Sequence, residues 1–137
     1  AARGGVEDAL AELSRCAQVS HPNIARVVTF FTTPVAVYVV GELAAQGDIW
    51  SFLARDEEQT KEVWISEVVA QVLSALIHLH QLELLHLAVR PSNMLVTDRS
   101  LSWDPLVPVV LLSDFGMRGL RCAARPRDPG EAAPLRA

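Results

Sequence analysis

His86-Leu87-Ala88-Val89-Arg90-Pro91-Ser92-Asn93-Met94-Leu95-Val96 is the stretch that decides how this chain folds, together with Ser113-Asp114-Phe115-Gly116 downstream. Each lies next to a run of β-type residues, Met94 to Thr97 in the first case and Val107 to Ser113 in the second. Asn93 and Asp114 offer hard oxygen atoms, the ligands that magnesium prefers. An aspartate after a strand also has a bland reading, as a turn former.

Outward from these runs, the composition sets limits. A chain of 137 residues has room for one domain of ordinary size, and half of its residues are hydrophobic, enough for a core. A net charge of −4 and a pI near 5.5 argue against nucleic-acid binding and against a membrane surface, both of which call for a basic stripe. The most apolar region, Val63 to Val89, is interrupted by Glu67, Gln71, His78, His80, Gln81 and Glu83, so no membrane span is expected. Cys16 and Cys122 give neither a disulfide framework nor a metal spacing. A reducing compartment, the cytoplasm, is the default. A chain opening on Ala1 without a secretory pattern is expected to be a piece of a longer protein.

Taken in order, Val6 to Val19 has the spacing of an amphipathic helix, with Ala9, Leu10, Leu13 and Ala17 on one face. Pro22 stops it. Ala25 to Phe31 and Val35 to Gly41, separated by Thr32-Thr33-Pro34, predict a hairpin. Asp48 is placed to cap a short helix through Leu53. Val63 to Leu82 predicts a long helix whose apolar stripe is Ile65, Val68, Val69, Val72, Leu73, Leu76 and Ile77, with Gln71 among the polar residues opposite. After Gly116 the apolar pattern collapses, and Arg118 to Ala137 reads as loop or disorder.

The first run resembles the catalytic loop of protein kinases, whose pattern is H-R-D-L-x-x-x-N, and Asp114-Phe115-Gly116 matches the D-F-G that holds metal in that family. His21-Pro22-Asn23-Ile24 looks like the H-P-N-I after the family's C-helix, and Glu42 to Leu53 like the hinge and the helix that follows it. Arg90-Pro91 stands where serine/threonine kinases carry Lys-Pro. The resemblance implies an α+β, partial protein-kinase-like fold over residues 1–119. It would comprise the end of an N-lobe with its C-helix and hairpin, the hinge, and the start of a mainly helical C-lobe. Residues 120–137 would be a loop or disordered tail. Within the 137 residues there is no G-x-G-x-x-G-x-V, no V-A-I-K lysine and no A-P-E.

The resemblance also implies roles. Asp114 would hold magnesium bridging the β- and γ-phosphates of ATP, and Asn93 a second ion. Leu95 would lie under the adenine, with Glu42 and Ala44 on the hinge beside it. Gly41 would be the gatekeeper, leaving the back pocket without a side-chain wall; a one-residue slip would put Val40 there. Cys16, Val27, His86 and Phe115 would stack as the regulatory spine, and Glu12 would be the C-helix glutamate, its strand lysine missing from the sequence. A solvated glutamate on the helix flank is the competing reading of Glu12. His78 and His80 are two apart on a helix and point away from each other, so they form no metal pair.

The catalytic position is damaged. Ala88 stands where the family carries the aspartate that accepts the substrate hydroxyl proton, a contribution typically worth about 10²–10⁴-fold. Leu87 replaces the arginine beside it, and Arg90 keeps a charge at the lysine position without the compact ammonium. A divergent, pseudokinase-like domain with a nucleotide-binding or scaffolding role is therefore expected, its ATP and Mg2+ weakly held. An active Ser/Thr kinase is one alternative, and a non-catalytic interaction fragment is the other. The sequence names no protein partner or substrate.

Overall fold

A computed structural model of the chain describes residues 2–55 and 62–114, with side chains from Val6 onward. Helix α1, Ala2–Cys16, begins ahead of the expected Val6. Its inner face buries Ala9 and Leu13 with Val27, and Leu10, Phe30 and Val37 pack around them. Strands β1, Val27–Thr32, and β2, Val37–Gly41, form the expected antiparallel hairpin, pairing from Val27 with Gly41 to Thr32 with Val37. Thr33 closes the turn, its N–H donating to the Ala36 carbonyl at 2.8 Å and its Oγ1 accepting from Ala36 N at 3.1 Å. One face of the hairpin rests on α1. On the other, Phe31 and Tyr38 stack in the open at 5.0 Å between centroids.

Helix α2, Ile49–Arg55, starts where the sequence places it. Asp48 Oδ1 accepts from Ser51 N at 2.8 Å, which satisfies one of the orphan donors of the first turn. Just ahead of it the chain turns back through Gly47 at φ +76°, a left-handed conformation that glycine adopts without steric cost. Gln46 N donates to Val96 O and Val96 N to Gly47 O, so this segment is stitched to the third strand.

Helix α3, Glu62–Gln81, is the longest element, but it is rotated from the expected face. Trp64, Val68, Gln71, Val72, Ala75 and Leu79 are buried, whereas Ile65, Val69, Leu73 and Ile77 are 44–58% exposed. Gln71 supplies the reason. Its Oε1 accepts from Val110 N at 2.9 Å and from Asn23 Nδ2 at 2.8 Å, and its Nε2 donates to Pro108 O at 3.0 Å. A glutamine that satisfies three polar groups at the rim of a sheet is as much an inward residue as a valine. By length and composition alone α3 is apolar enough to cross a membrane, at a mean hydropathy of 1.4, but its inner face is engaged with the strands.

The helix ends without glycine. Glu83 takes φ +58°, Leu84 N donates back to Leu79 O at 2.9 Å and Glu83 N to His80 O at 3.0 Å, and Leu84 is buried. This is the Schellman arrangement. After a 3-10 turn at Pro91–Asn93, strands β3, Met94–Ser100, and β4, Pro108–Leu112, pair antiparallel from Met94 with Leu112 to Ser100 with Pro108. Ile24 bridges to Leu112 in parallel, which brings the His21–Ile24 corner onto the same strand. Val96, Val110, Leu112, Ala75 and Leu79 make the centre of the main core, and Cys16 and Ile24 close it from above.

Candidate functional site

The loop from His86 to Asn93 is held by its own backbone. His86 is buried; its Nδ1 accepts from Ala88 N at 3.1 Å, so its Nε2 carries the hydrogen and donates to Ser113 O at 2.7 Å. Burial pushes the His86 imidazole below its ordinary range, against the opposing pull of the Ser113 carbonyl and the Asp114 carboxylate. The ring is therefore neutral, as the two hydrogen bonds require. Asn93 is buried too. Its Nδ2 donates to Ala88 O at 2.7 Å, and its own carbonyl accepts from both the N–H and the Oγ of Ser113, at 2.8 and 3.2 Å.

Ser113 thus joins the two motif runs, and Asp114 follows directly. Asp114 sits at φ +67° and Leu87 at φ +61°. Both are in the left-handed region, which costs an L-residue roughly 1–2 kcal/mol. An aspartate tolerates it better than a leucine. Ala88 is half-buried, and both of its backbone groups are engaged. What the position lacks is only a side chain able to take a proton.

A cleft of about 210 Å³ opens beside this junction, lined by Val27, Gly41, Glu42, Leu95, Ser113 and Asp114, among others. Leu95, Glu42, Gly41 and Asp114, far apart in sequence, are therefore brought to one place. Gly41 is the residue at the wall, and an added Cβ would meet the Arg26 carbonyl at 3.4 Å, in tight but ordinary contact. Val39 also lines the cleft. Ala44 does not; its carbonyl accepts from Gly47 N at 3.3 Å. Arg90 is exposed and contributes its carbonyl to Asn93 N at 2.9 Å. Glu12 is half-buried on α1.

Of the four residues expected to form the spine, Cys16 and His86 are buried and Val27 is buried in the smaller cluster under α1, whereas Cys16 belongs to the main core. Phe115, Gly116 and the expected tail lie outside the described residues. His78 packs its ring against His21 at 5.0 Å, while His80 is exposed, so the two point apart as the helix period requires. Among the described residues no group of three or more His, Cys, Asp or Glu side chains could hold a metal.

Sequence reasoning missed Ser113, which ties the site together, and the Glu42–Arg99 ion pair at 3.2 Å. Neither has a sequence signal. Ser113 acts partly through main-chain atoms, and Arg99 meets Glu42 only because β3 returns beside that segment.

The model of the protein kinase domain family matches residues 2–122. Serine/threonine-protein kinase PLK4 of Aedes aegypti is 32% identical over 106 residues, covering 77% of this chain and 13% of the relative. Death-associated protein kinase 2 of Mus musculus is 30% identical over 119 residues, covering 85% of this chain and 31% of the relative. A crystal structure of Rad53 1-466 in complex with AMP-PNP superposes with a TM-score of 0.69 at 28% identity, over 80% of this chain and 28% of that one. The chain thus spans less than a third of the length of these relatives.

Proposed function

The chain belongs to the protein kinase family, and from that premise we propose that it is a pseudokinase-like domain which holds magnesium-nucleotide weakly and transfers no phosphate. The observation that carries this is Ala88. Its backbone is anchored to His86 and Asn93 as a working loop would need, yet no carboxylate is present to accept the substrate proton.

The remaining parts suit nucleotide better than catalysis. Leu95 and Gly41 give the cleft apolar surface, and Asp114 stands at its edge. Magnesium usually takes one or two carboxylates and completes its shell with phosphate and water, so Asp114 with the Asn93 side-chain oxygen fits as a partial ligand set. When bound, the ion would neutralise phosphate charge; the chain's own part is to fix Asp114 through Ser113. The Rad53 relative was crystallised with AMP-PNP, which supports nucleotide as the ligand class. With no proton-accepting side chain at Ala88, binding without turnover is the expected result.

Calorimetry with ATP and magnesium, alongside an ADP-release assay, tests this. Weak, magnesium-dependent binding that drops on Asp114→Ala, with ADP release at background, is expected. Turnover in the ordinary kinase range of about 1–100 s⁻¹, abolished by Asp114→Ala, would overturn the reading and make the chain an active kinase. No nucleotide binding at all would leave an interaction domain.

A further inference from the structure

A second recess, of about 360 Å³, is lined by Ser20, His21, Ile24, Arg26, Glu42 and Arg99, among others. We infer that this recess is a binding site for a phosphate monoester, held between the Arg26 and Arg99 guanidinium groups. The inference does not rest on nucleotide binding in the first cleft.

The charge count carries it. Two arginines and one glutamate line the recess, which leaves one positive charge on a chain whose net charge is −4. The only ion pair among the described residues uses a single Nη of Arg99, at 3.2 Å from Glu42 Oε1. No carboxylate pairs with the Arg26 side chain among the described residues. Arginine presents five N–H donors in a planar fork that matches phosphate oxygens two at a time, so most of that donor capacity is open. His21 contributes wall rather than donors, because its Nδ1 accepts from Asn23 N at 3.0 Å and its Nε2 meets Ser74 Oγ at 3.2 Å. Ile24 and Pro22 give the recess apolar surface beside the arginines, which suits an ester with a compact apolar body better than a bare inorganic ion.

The recess and the first cleft share Arg26 and Glu42. Those two residues are themselves joined, Glu42 N donating to Arg26 O at 2.9 Å and Arg26 N to Glu42 Oε2 at 3.4 Å. An anion that draws Arg99 away from Glu42 changes the charge on the wall of the first cleft.

Nitrogen-15 spectra of the full chain, titrated at constant ionic strength with phenyl phosphate and with a phosphoserine tripeptide, decide the matter. The expected result is saturable shifts at the Ser20, Arg26, Glu42 and Arg99 amides, weakened about tenfold or more by Arg26→Gln or Arg99→Gln and removed by the double variant. Glu42→Gln releases Arg99 and should tighten binding several-fold. Both arginines are exposed, so their variants keep the fold. The tighter of the two probes identifies a free ester or a phosphorylated side chain as the source. Shifts centred on Leu95 and Asp114, uniform shifts reproduced by sodium chloride, or unchanged affinity in the double variant would overturn the inference.

Discussion

His86 donates from Nε2 to the Ser113 carbonyl at 2.7 Å, so one buried imidazole joins the loop at Ala88 to the strand end that carries Asp114. The companion bond, Ala88 N donating to Nδ1 at 3.1 Å, is the one that needs a neutral ring, because a protonated Nδ1 cannot accept. Burial lowers the folded-state pKa of His86, and burial together with His78 lowers that of His21. The unfolded chain therefore binds more protons than the folded one at mildly acid pH. Their contribution to stability is fully present above the unfolded value near 6.5 and is lost as the pH falls through it towards the depressed folded values. Urea midpoints should fall between about pH 7.5 and pH 5, and His86→Gln should flatten the slope. A midpoint that rises on acidification would refute the assignment.

Gln71 is expected to be the most costly polar residue to lose. Replacing it with leucine keeps the volume but strands Val110 N and Pro108 O, and leaves Asn23 Nδ2 with only the Val110 carbonyl at 3.1 Å. Each buried group left unpaired costs about 1–3 kcal/mol, with partial relief from water, so a total of about 2–4 kcal/mol is expected in denaturant titration. Ser66→Ala, on the exposed side of the same helix, serves as the neutral control. Equal midpoints for the two variants would contradict the inward placement of Gln71.

Glu83 is exposed and holds φ +58° at the end of α3. Glycine carries no penalty there, so Glu83→Gly should stabilise the chain by about 1 kcal/mol. A loss of stability on this change would mean that the helix ends otherwise.

Burial raises the Cys16 thiol to about 11, with the Glu12 carboxylate adding to the shift. The thiolate, which is the reactive form, then makes up only about one part in a thousand at pH 8. In a Cys122→Ser background, Cys16 should react with a disulfide reagent only at the rate of unfolding. Prompt modification in the native state would show that the site is open.

The outer stripe of α3 presents Ile65, Val69, Leu73 and Ile77 to water. Contiguous apolar surface of this kind favours association. Val69→Glu combined with Leu73→Lys should reduce self-association in sedimentation while leaving the urea midpoint within about 0.5 kcal/mol of the original. A large drop in stability would show that this face is covered after all.

The sequence by itself determined much of this protein. The Asp48 cap, the Thr33 turn and the two strand runs flanking the motifs are local features, fixed by short-range hydrogen bonding and side-chain shape. Ala88, the residue on which the functional reading turns, is visible in the chain without any coordinates. Tertiary structure decided the rest. The inward face of α3 depends on partners at Val110, Pro108 and Asn23, so periodicity that counts glutamine as polar finds Val68 and Val72 but offsets the stripe from Gln71, Ala75 and Leu79 towards Ile65, Val69, Leu73 and Ile77. The junction at Ser113 runs largely through main-chain atoms, which carry no residue-specific signal. The recess between Arg26 and Arg99 exists because β3 returns beside Glu42, and contacts made across 57 positions of sequence are set by packing, not by local pattern.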